Sequence, residues 1–590
     1  MMGSQSLRLL AGLMLASTIL TAPPLLAQTT PSPAPAQPGG MPPADQPLAA
    51  SQASPSGAYL VALSAARKAD YQSAARFMEQ ARKSNPEDPD LMRRAITWEM
   101  AAGRYDQALA LAKLLVAAPD SQSILAITLA AMDELKRGEL PAADARLASL
   151  PRQGVGSIAA PLMRGWIAAK LKGPAEGEKV IASIGESPAL APLRELHQAM
   201  IRDVMAKEAN PAAYKPLLEA NPQPPLRLVE LGGNAMERAG DKAGARALYA
   251  GFIARNEDNE LSDLLRGKPA DGPAPKPIVG GVEAGIAQGM FDIASLLQQD
   301  RAGSELALLY VRLALMLQPD FPLAQMLLAE VTEAMGNQAA AIDAYGVLAT
   351  KPGYSWLSRL RIAGLRDSAG DTAAALADLT KMGAENPNRF EALWRKADIL
   401  RARDRFTEAT EAYDAAIARV ANPDRRHWSL FFGRGIALER VKRWDRAESD
   451  MKKALALQPE QPYVLNYLGY TWLEQNMNLT EAKAMIERAV ALRPQDGAIV
   501  DSLGWAFYRL GDFETAAKHL ERAVELKAND PTINDHLGDA YWRVGRKLEA
   551  RFQWTRALSL DPDADLKAAI EKKLADPKDP PIASTSGKAP

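Results

Sequence analysis

The sequence predicts an all-α fold in which helical hairpins stack into a solenoid. Three observations predict it: residues recur at an interval of 34, small residues hold fixed places in each copy, and proline follows several copies. A hairpin of this length cannot bury its own apolar face, so copies must stack to share a core. The clearest recurring pairs are Leu503 and Leu537, Gly504 and Gly538, Phe507 and Tyr541, Gly511 and Gly545, Ala516 and Ala550, Ala523 and Ala557, and Leu526 and Leu560.

The recurring residues predict where each helix packs and ends. Gly504 and Gly538 lie inside the first helix of their hairpins, where a missing side chain lets the second helix approach the backbone. Gly511 and Gly545 fall where that first helix must end, because glycine takes the left-handed conformation at least cost. The alanines of the second helix are spaced for one closely packed face. Pro562 follows the last copy because proline cannot continue a helix.

This pattern resembles the tetratricopeptide repeat (TPR) family. The resemblance implies a helix-turn-helix solenoid wound as a right-handed superhelix, with about ten or more repeats. The interval can be traced from the C-terminal copies back to Tyr71 and Tyr105, which are 34 residues apart. Between about 155 and 300 the register drifts, although Leu231 and Gly232 suggest the start of one repeat.

Changes in composition divide the chain into segments. The Pro/Gly-rich stretch 267–281 predicts an extended loop, either a hinge between two arrays or part of a binding surface. The predicted order is a signal peptide at 1–27, a disordered Pro/Ala-rich linker at 28–56, an N-terminal TPR-like array at 57–266, the loop at 267–281, a C-terminal TPR array with a capping helix at 282–575, and a disordered tail at 576–590.

The first residues predict export. Arg8 precedes a short apolar run that ends before Ala27, which is typical of a secretory signal and too short to span a bilayer. Leu25 departs from the preferred small residue, so an uncleaved anchor stays an alternative. The sequence contains no cysteine for lipid attachment, which favours a periplasmic protein over a lipoprotein. We expect no transmembrane segment after signal cleavage.

Composition and motifs argue against catalysis and nucleic-acid binding. The 70 basic and 71 acidic side chains balance, so no basic excess indicates a nucleic-acid partner. The four histidines, His197, His427, His519 and His536, show no metal-ligand spacing, and no Gly-rich phosphate loop or nucleophile elbow occurs. We expect a protein that is not an enzyme and needs no cofactor or metal.

The first helices of the C-terminal copies predict a partner-binding groove. Positions near the recurring glycine should lie off the packed seam and face a concave surface. The predicted groove residues are Asn466, Tyr467, Tyr470, Asp501, Trp505, Tyr508, Arg509, Asp535, Asp539 and Trp542. Aromatic groups beside carboxylates would suit apolar and cationic partner side chains and would not capture a free C-terminal carboxylate. Alternatively, Trp505 and Trp542 pack between adjacent first helices.

One test of this groove is to replace its three aspartates, Asp501, Asp535 and Asp539, with Lys. We expect the charge reversal to abolish partner capture without unfolding the array.

The block 428–565 resembles that of exported bacterial TPR proteins, including adaptors of carboxyl-terminal processing proteases that deliver cell-wall hydrolases. The resemblance implies a periplasmic adaptor or scaffold for envelope proteins, with a processing protease or a cell-wall hydrolase among its possible partners. A structural subunit of an envelope export, polysaccharide or outer-membrane assembly machine is the alternative. A membrane-anchored regulator of lipopolysaccharide synthesis is a third hypothesis, although those proteins carry a Cys-x-x-Cys motif that this sequence lacks.

Overall fold

A computed structural model describes residues 54–118, 123–185, 187–256, 260–269, 271–299 and 303–575. These ranges contain 29 α-helices, a few 3-10 turns and no strand, which confirms the predicted all-α class. The predicted signal peptide, most of the predicted linker and the predicted tail lie outside the described residues. Two compact units divide between Asp378 and Leu379, and we call them unit 1 and unit 2.

Unit 1 begins with twelve helices, whose lengths are less regular toward the end. Its helices up to residue 256 are α1 Pro55–Arg67, α2 Tyr71–Arg82, α3 Pro89–Ala101, α4 Tyr105–Ala117, α5 Ile124–Lys136, α6 Leu140–Ala148, α7 Gly156–Lys172, α8 Pro174–Ala182, α9 Ala191–Val204, α10 Lys215–Ala220, α11 Leu226–Arg238 and α12 Lys242–Arg255. The next helices are α13 Val282–Leu297, α14 Ser304–Leu317, α15 Pro322–Ala334, α16 Gln338–Leu348 and α17 Ser355–Ser368, and α18 Thr372–Glu385 crosses the unit boundary.

Unit 2 continues the alternation of first and second helices with regular lengths. Its helices are α19 Glu391–Ala402, α20 Phe406–Ile417, α21 Trp428–Arg440, α22 Trp444–Leu457, α23 Pro462–Glu474, α24 Leu479–Leu492, α25 Gly497–Arg509, α26 Phe513–Leu526, α27 Pro531–Arg543, α28 Lys547–Leu558 and α29 Ala564–Ala575. Odd-numbered helices are the first helices of the hairpins, and α29 is the predicted capping helix.

The hairpin of α27 and α28 shows why the repeated residues form this unit. Asp530 accepts hydrogen bonds from two amides of the first turn, and Pro531 begins the helix. Gly545 ends the turn after α27 with a φ of +84°, as its position predicts. A Cβ on Gly538 would lie 2.5 Å from Trp554 of α28, so the predicted close approach of the two helices is confirmed.

The region of uncertain register contains the suggested repeat at α11 and α12. Here Gly233, one residue after the expected Gly232, lies against the second helix, because its Cβ would be 2.3 Å from the Tyr249 ring. The segment 267–281 carries no helix where it is described. Asn234 of α11 donates to the Lys276 carbonyl at 3.0 Å, which fixes this loop to the helices before it.

Unit 1 also makes contacts between residues far apart in sequence. Helix α13 packs against α7 and α9, and α14 packs against α3 and α5. The buried His197 accepts a hydrogen bond from the Trp166 indole at 3.0 Å and lies 3.0 Å from Asp292 of α13. The Asn337 side-chain amide donates to the Ala69 carbonyl at 2.8 Å. The hairpin of α13 and α14 therefore lies against the first helices of the preceding array.

Candidate functional site

Nine of the ten predicted groove residues are buried. Asn466, Tyr467 and Tyr470 lie on α23, Asp501, Trp505, Tyr508 and Arg509 on α25, and Asp535, Asp539 and Trp542 on α27. Only Trp542 is half-buried. The expectation that these positions lie off the packed seam is therefore wrong for the other nine. Neighbouring first helices cover them, and second helices add to the burial of Tyr508 and Asp539. Their role in partner binding stays a prediction.

Trp505 lies at the centre of an aromatic stack between two repeats. Its ring is 4.7 Å from that of Tyr508 and 4.0 Å from that of His536, with interplanar angles of 6° and 13°. The indole nitrogen donates to Glu474 of α23 at 2.8 Å. Trp505 therefore joins three consecutive first helices, and packing between first helices, the alternative for this residue, describes its position.

Charged pairs join the same first helices. Arg509 donates to Glu474 at 2.9 Å and to Asn476 at 2.8 Å. Asp501 is 1% exposed, and its two carboxylate oxygens lie 3.0 and 3.1 Å from Nδ1 of His536. Burial alone lowers the pKa of His536, but the facing Asp501 carboxylate, with Asp535 and Asp539, outweighs burial and raises it.

Asp535 and Asp539, the last two carboxylates of the predicted groove, contact the capping helix α29. The Lys573 ammonium of α29 lies 2.8 Å from a carboxylate oxygen of Asp535 and 2.8 Å from one of Asp539. The Trp554 indole also donates to Asp539 at 3.0 Å. Burial raises the pKa of Asp539 to about 6, and Asp535 adds to this rise while Lys573 opposes it.

Trp542 is the most accessible of the ten residues. Its ring lies 5.4 Å from that of Trp554, and the Lys547 ammonium lies 3.7 Å from its centroid. The Trp542 indole nitrogen is buried and has no hydrogen-bond acceptor among the described residues. Burying a donor without an acceptor costs free energy.

Within the described ranges, the three predicted groove residues on α23 have no ion-pair partner like those of Asp501, Asp535 and Asp539. The Tyr467 hydroxyl donates to Glu439 of α21 at 3.3 Å, and its ring meets Phe432 edge-on at 5.8 Å. Burial holds the pKa of the Tyr470 hydroxyl well above its usual range. The Asn466 side-chain oxygen is buried without a donor among the described residues.

These contacts contradict the expectation that the three aspartates can be replaced by Lys without unfolding the array. Asp501 is paired with His536, and both Asp535 and Asp539 are paired with Lys573. The substitutions would place buried cations against these partners, and an unpaired buried charge is strongly destabilising. Loss of capture in such a variant would not identify a binding surface.

Sequence reasoning missed Lys573 as the ion-pair partner of Asp535 and Asp539. The signal was present, because Lys573 follows Asp539 by 34 residues and so takes the matching place on the next first helix. The same reasoning missed Trp554, because the 34-residue pattern marks second-helix residues only as packing positions. Its fully buried side chain contributes both to the core and to the hydrogen bond with Asp539.

The histidines lie in separate settings. His197 and His536 are buried in the pairs described above, and His427 is buried 3.0 Å from Asp424. His519 is half-buried and stacks on Phe507 at 5.3 Å. The described residues contain no group of three or more His, Asp or Glu side chains placed to hold a metal ion. In that part of the chain no helix combines the length and apolar character needed to cross a membrane.

Comparison with protein families matches four segments of the chain. Residues 504–545 match a family described as TPR repeat, residues 320–429 match a tetratricopeptide repeat-like domain, and residues 59–123 and 432–497 match a tetratricopeptide repeat. Each of the three families is a repeat family, and none is catalytic.

Among curated proteins, the chain is similar to the TPR repeat-containing protein PA4667 of Pseudomonas aeruginosa. The two are 27% identical over 195 residues, which is 33% of this chain and 32% of the relative. The alignment therefore spans about a third of that protein's length.

Among solved structures, two chains are similar to this one at low sequence identity. One belongs to the APC/C hetero-tetramer Cut9-Hcn1, with a TM-score of 0.37, 16% identity and coverage of 89% of this chain and 97% of that one. The other is the thermophilic TPR protein TTC0263 of Thermus thermophilus, with a TM-score of 0.28, 20% identity and coverage of 32% and 99%.

Proposed function

Because the chain is a tetratricopeptide repeat protein, we propose that it is a non-enzymatic adaptor of the bacterial periplasm, exported by its N-terminal signal, that binds segments of envelope proteins. TPR proteins generally mediate protein–protein interactions, and repeat arrays provide extended binding surfaces. We place partner binding on the first-helix face of unit 2, defined here as the accessible edges of α23, α25, α27 and α29.

The observation that carries this proposal is the continuous set of cross-repeat contacts along that face. Glu474, Trp505, His536 and Lys573 belong to four successive first helices, and each pairs with a neighbouring first helix. Side chains held in this way lose little further freedom when a partner binds, which favours affinity. Tryptophan, tyrosine and arginine are also the residue types that contribute most to protein interfaces.

The accessible groups on this face suit a partner with apolar and cationic side chains. Trp542 offers a half-buried ring, although its indole nitrogen is buried. Glu474 is 16% exposed, although it already accepts hydrogen bonds from Trp505 and Arg509. An extended segment or a helix could contact these groups in order along the row.

Crosslinking and capture from the cell envelope, followed by mass spectrometry, tests the proposal. We expect a processing protease or a cell-wall hydrolase crosslinked to unit 2, and a lower yield with Trp542→Ala. Phe552→Ala is the matched control, because Phe552 is 69% exposed on the second helix α28. Unchanged capture with Trp542→Ala, or recovery of the uncleaved chain in the cytoplasmic fraction, would contradict the proposal. Recovery of an export channel would favour the structural-subunit alternative.

A further inference from the structure

Helix α29 covers the last of the stacked hairpins through two kinds of contact. Its Ile570 side chain is fully buried and packs in one apolar cluster with Leu537, Trp554 and Ala557. Its Lys573 ammonium binds both Asp535 and Asp539. We call the surface under α29 the end surface, defined by Asp535, Leu537, Asp539, Trp554 and Ala557.

Helix α29 is held less firmly than the helices beneath it. Ile570 is its only buried side chain, whereas α27 buries nine of its residues. Its outward positions, which include Lys567, Glu571 and Lys572, are exposed. Segments with few buried apolar contacts open locally at lower free energy than the rest of a fold. We therefore expect α29 to open while α27 and α28 stay folded.

The end surface has the chemistry of a receptor for one kind of helix. It combines an apolar socket for a branched aliphatic side chain with two buried carboxylates for an ammonium group. In α29 these two needs are met by Ile570 and Lys573, which lie three residues apart and so share a helix face. Leu566 and Leu574 extend that face and pack partly buried against the same cluster.

We propose that the end surface is a docking site for an amphipathic partner helix that carries a lysine three residues after an aliphatic side chain, and that α29 occupies this site in the free protein. Binding then requires α29 to open, so the affinity of the partner is reduced by the fraction of chains in which α29 is closed. This inference rests on the proposed adaptor function, and it specifies the partner chemistry at one end of the binding face.

Hydrogen exchange on the wild-type full chain provides the first test. Amides of α29 should exchange at least tenfold faster than the protected amides of α27, because α29 opens without the rest of the hairpin. Equal protection of the two helices would overturn the proposal, because α29 could not then give way to a partner.

A labelled peptide with the sequence of residues 562–575 provides the second test. The receptor is the full chain with Ile570→Ser and Lys573→Ser, which detaches α29 and leaves the end surface unchanged. We expect this variant to bind the peptide at least tenfold more tightly than the wild-type chain does. A peptide with Met at the place of Lys573 should bind at least tenfold more weakly. Lys572→Ser in the full chain is the matched control, because Lys572 is exposed, and it should behave as the wild type.

Two outcomes would overturn the docking site. Either the double variant keeps its helical circular dichroism but binds no peptide, or it binds the two peptides equally. Envelope capture with the same variant separates this inference from the proposed function. Unchanged capture of an envelope protein would remove the end surface as its docking site while the adaptor function stood. Peptide binding with no captured envelope protein would support the end surface and contradict the adaptor function.

Discussion

Replacing Lys573 with Met should weaken the attachment of α29 strongly. The substitution keeps most of the aliphatic stem and removes the ammonium that lies 2.8 Å from both Asp535 and Asp539. Removing one member of a buried ion pair costs about 3–5 kcal/mol, because the remaining charge has no compensation. The Lys573 side chain is 19% exposed, which allows some screening by water. We therefore expect the lower end, about 3 kcal/mol in the free energy of opening.

The size of this effect should depend on pH. Burial raises the pKa of Asp539 to about 6 although Lys573 opposes the rise, so removing Lys573 should raise it further. The closed state then holds a proton that the open state, in which α29 no longer covers Asp539, releases nearer the ordinary pKa of about 3.9. The closed state loses stability relative to the open state as pH rises between these two values, because it binds more protons there. We expect the full loss at pH 8 and roughly half of it at pH 5, where Asp539 is neutral.

Native-state hydrogen exchange of α27 and α29 at pH 5 and pH 8, corrected for intrinsic exchange, measures this loss. Lys572→Met is the matched control, because the exposed Lys572 should contribute within about 0.5 kcal/mol of zero. Two results would refute the reasoning: equal opening free energies in Lys573→Met and Lys572→Met, or a larger loss at pH 5 than at pH 8.

Three further predictions concern the same repeats. In the wild type, the raised pKa of His536 stabilises the fold below the unfolded pKa of about 6.5, and this stabilisation is lost as pH rises through the folded pKa. His536→Gln should flatten this fall in stability between pH 6 and pH 8 in urea unfolding, and an unchanged slope would contradict the prediction. Gly538→Ala should destabilise unit 2 by about 1–3 kcal/mol because the new Cβ meets Trp554. Gly364→Ala in α17 is the control and should not destabilise the protein, because a Cβ there meets open space. Equal shifts of the melting temperature in the two variants would exclude this steric account. Phe552→Gln should change the free energy of unfolding by less than about 0.5 kcal/mol because the ring is 69% exposed, and a larger loss in urea titration would show hidden packing.

The sequence predicts the hairpins well because local residues determine them. Gly538 and Gly545 act within one hairpin, and their structural roles follow from the lack of a side chain and from a positive φ. The order of helices in unit 2 follows from the same short-range pattern. Such features depend on contacts less than one repeat apart, and periodicity reports those contacts directly.

Burial of the candidate site could not be predicted in the same way. Periodicity gives the direction of Asp501 or Trp505 around its own helix, but burial also depends on how closely the next first helix approaches. His536 covers Asp501, and α29 covers Asp535 and Asp539. The distance between first helices depends on the rotation from one repeat to the next, which no single repeat encodes.

Unit 1 shows a second limit of local patterns. The contacts of α13 and α14 with α3, α5, α7 and α9 join residues separated by more than a hundred positions in several cases. Gly285 of α13 lies directly against Trp166, since a Cβ there would be 2.3 Å from the indole ring. Neither residue stands at a position that the 34-residue interval marks, so the pairing is visible only in three dimensions.

The hydrogen bond from Asn337 to the Ala69 carbonyl has a consequence for how the chain acquires its structure. The two residues are 268 positions apart, whereas Lys573 and Asp535 are only 38 apart. During synthesis, unit 1 can complete its contacts only after residue 337 has emerged. Unit 2 can add one hairpin at a time as each is released. Non-local contacts slow folding, so we expect unit 1 to be the half of the molecule that depends on protection from aggregation during its biogenesis.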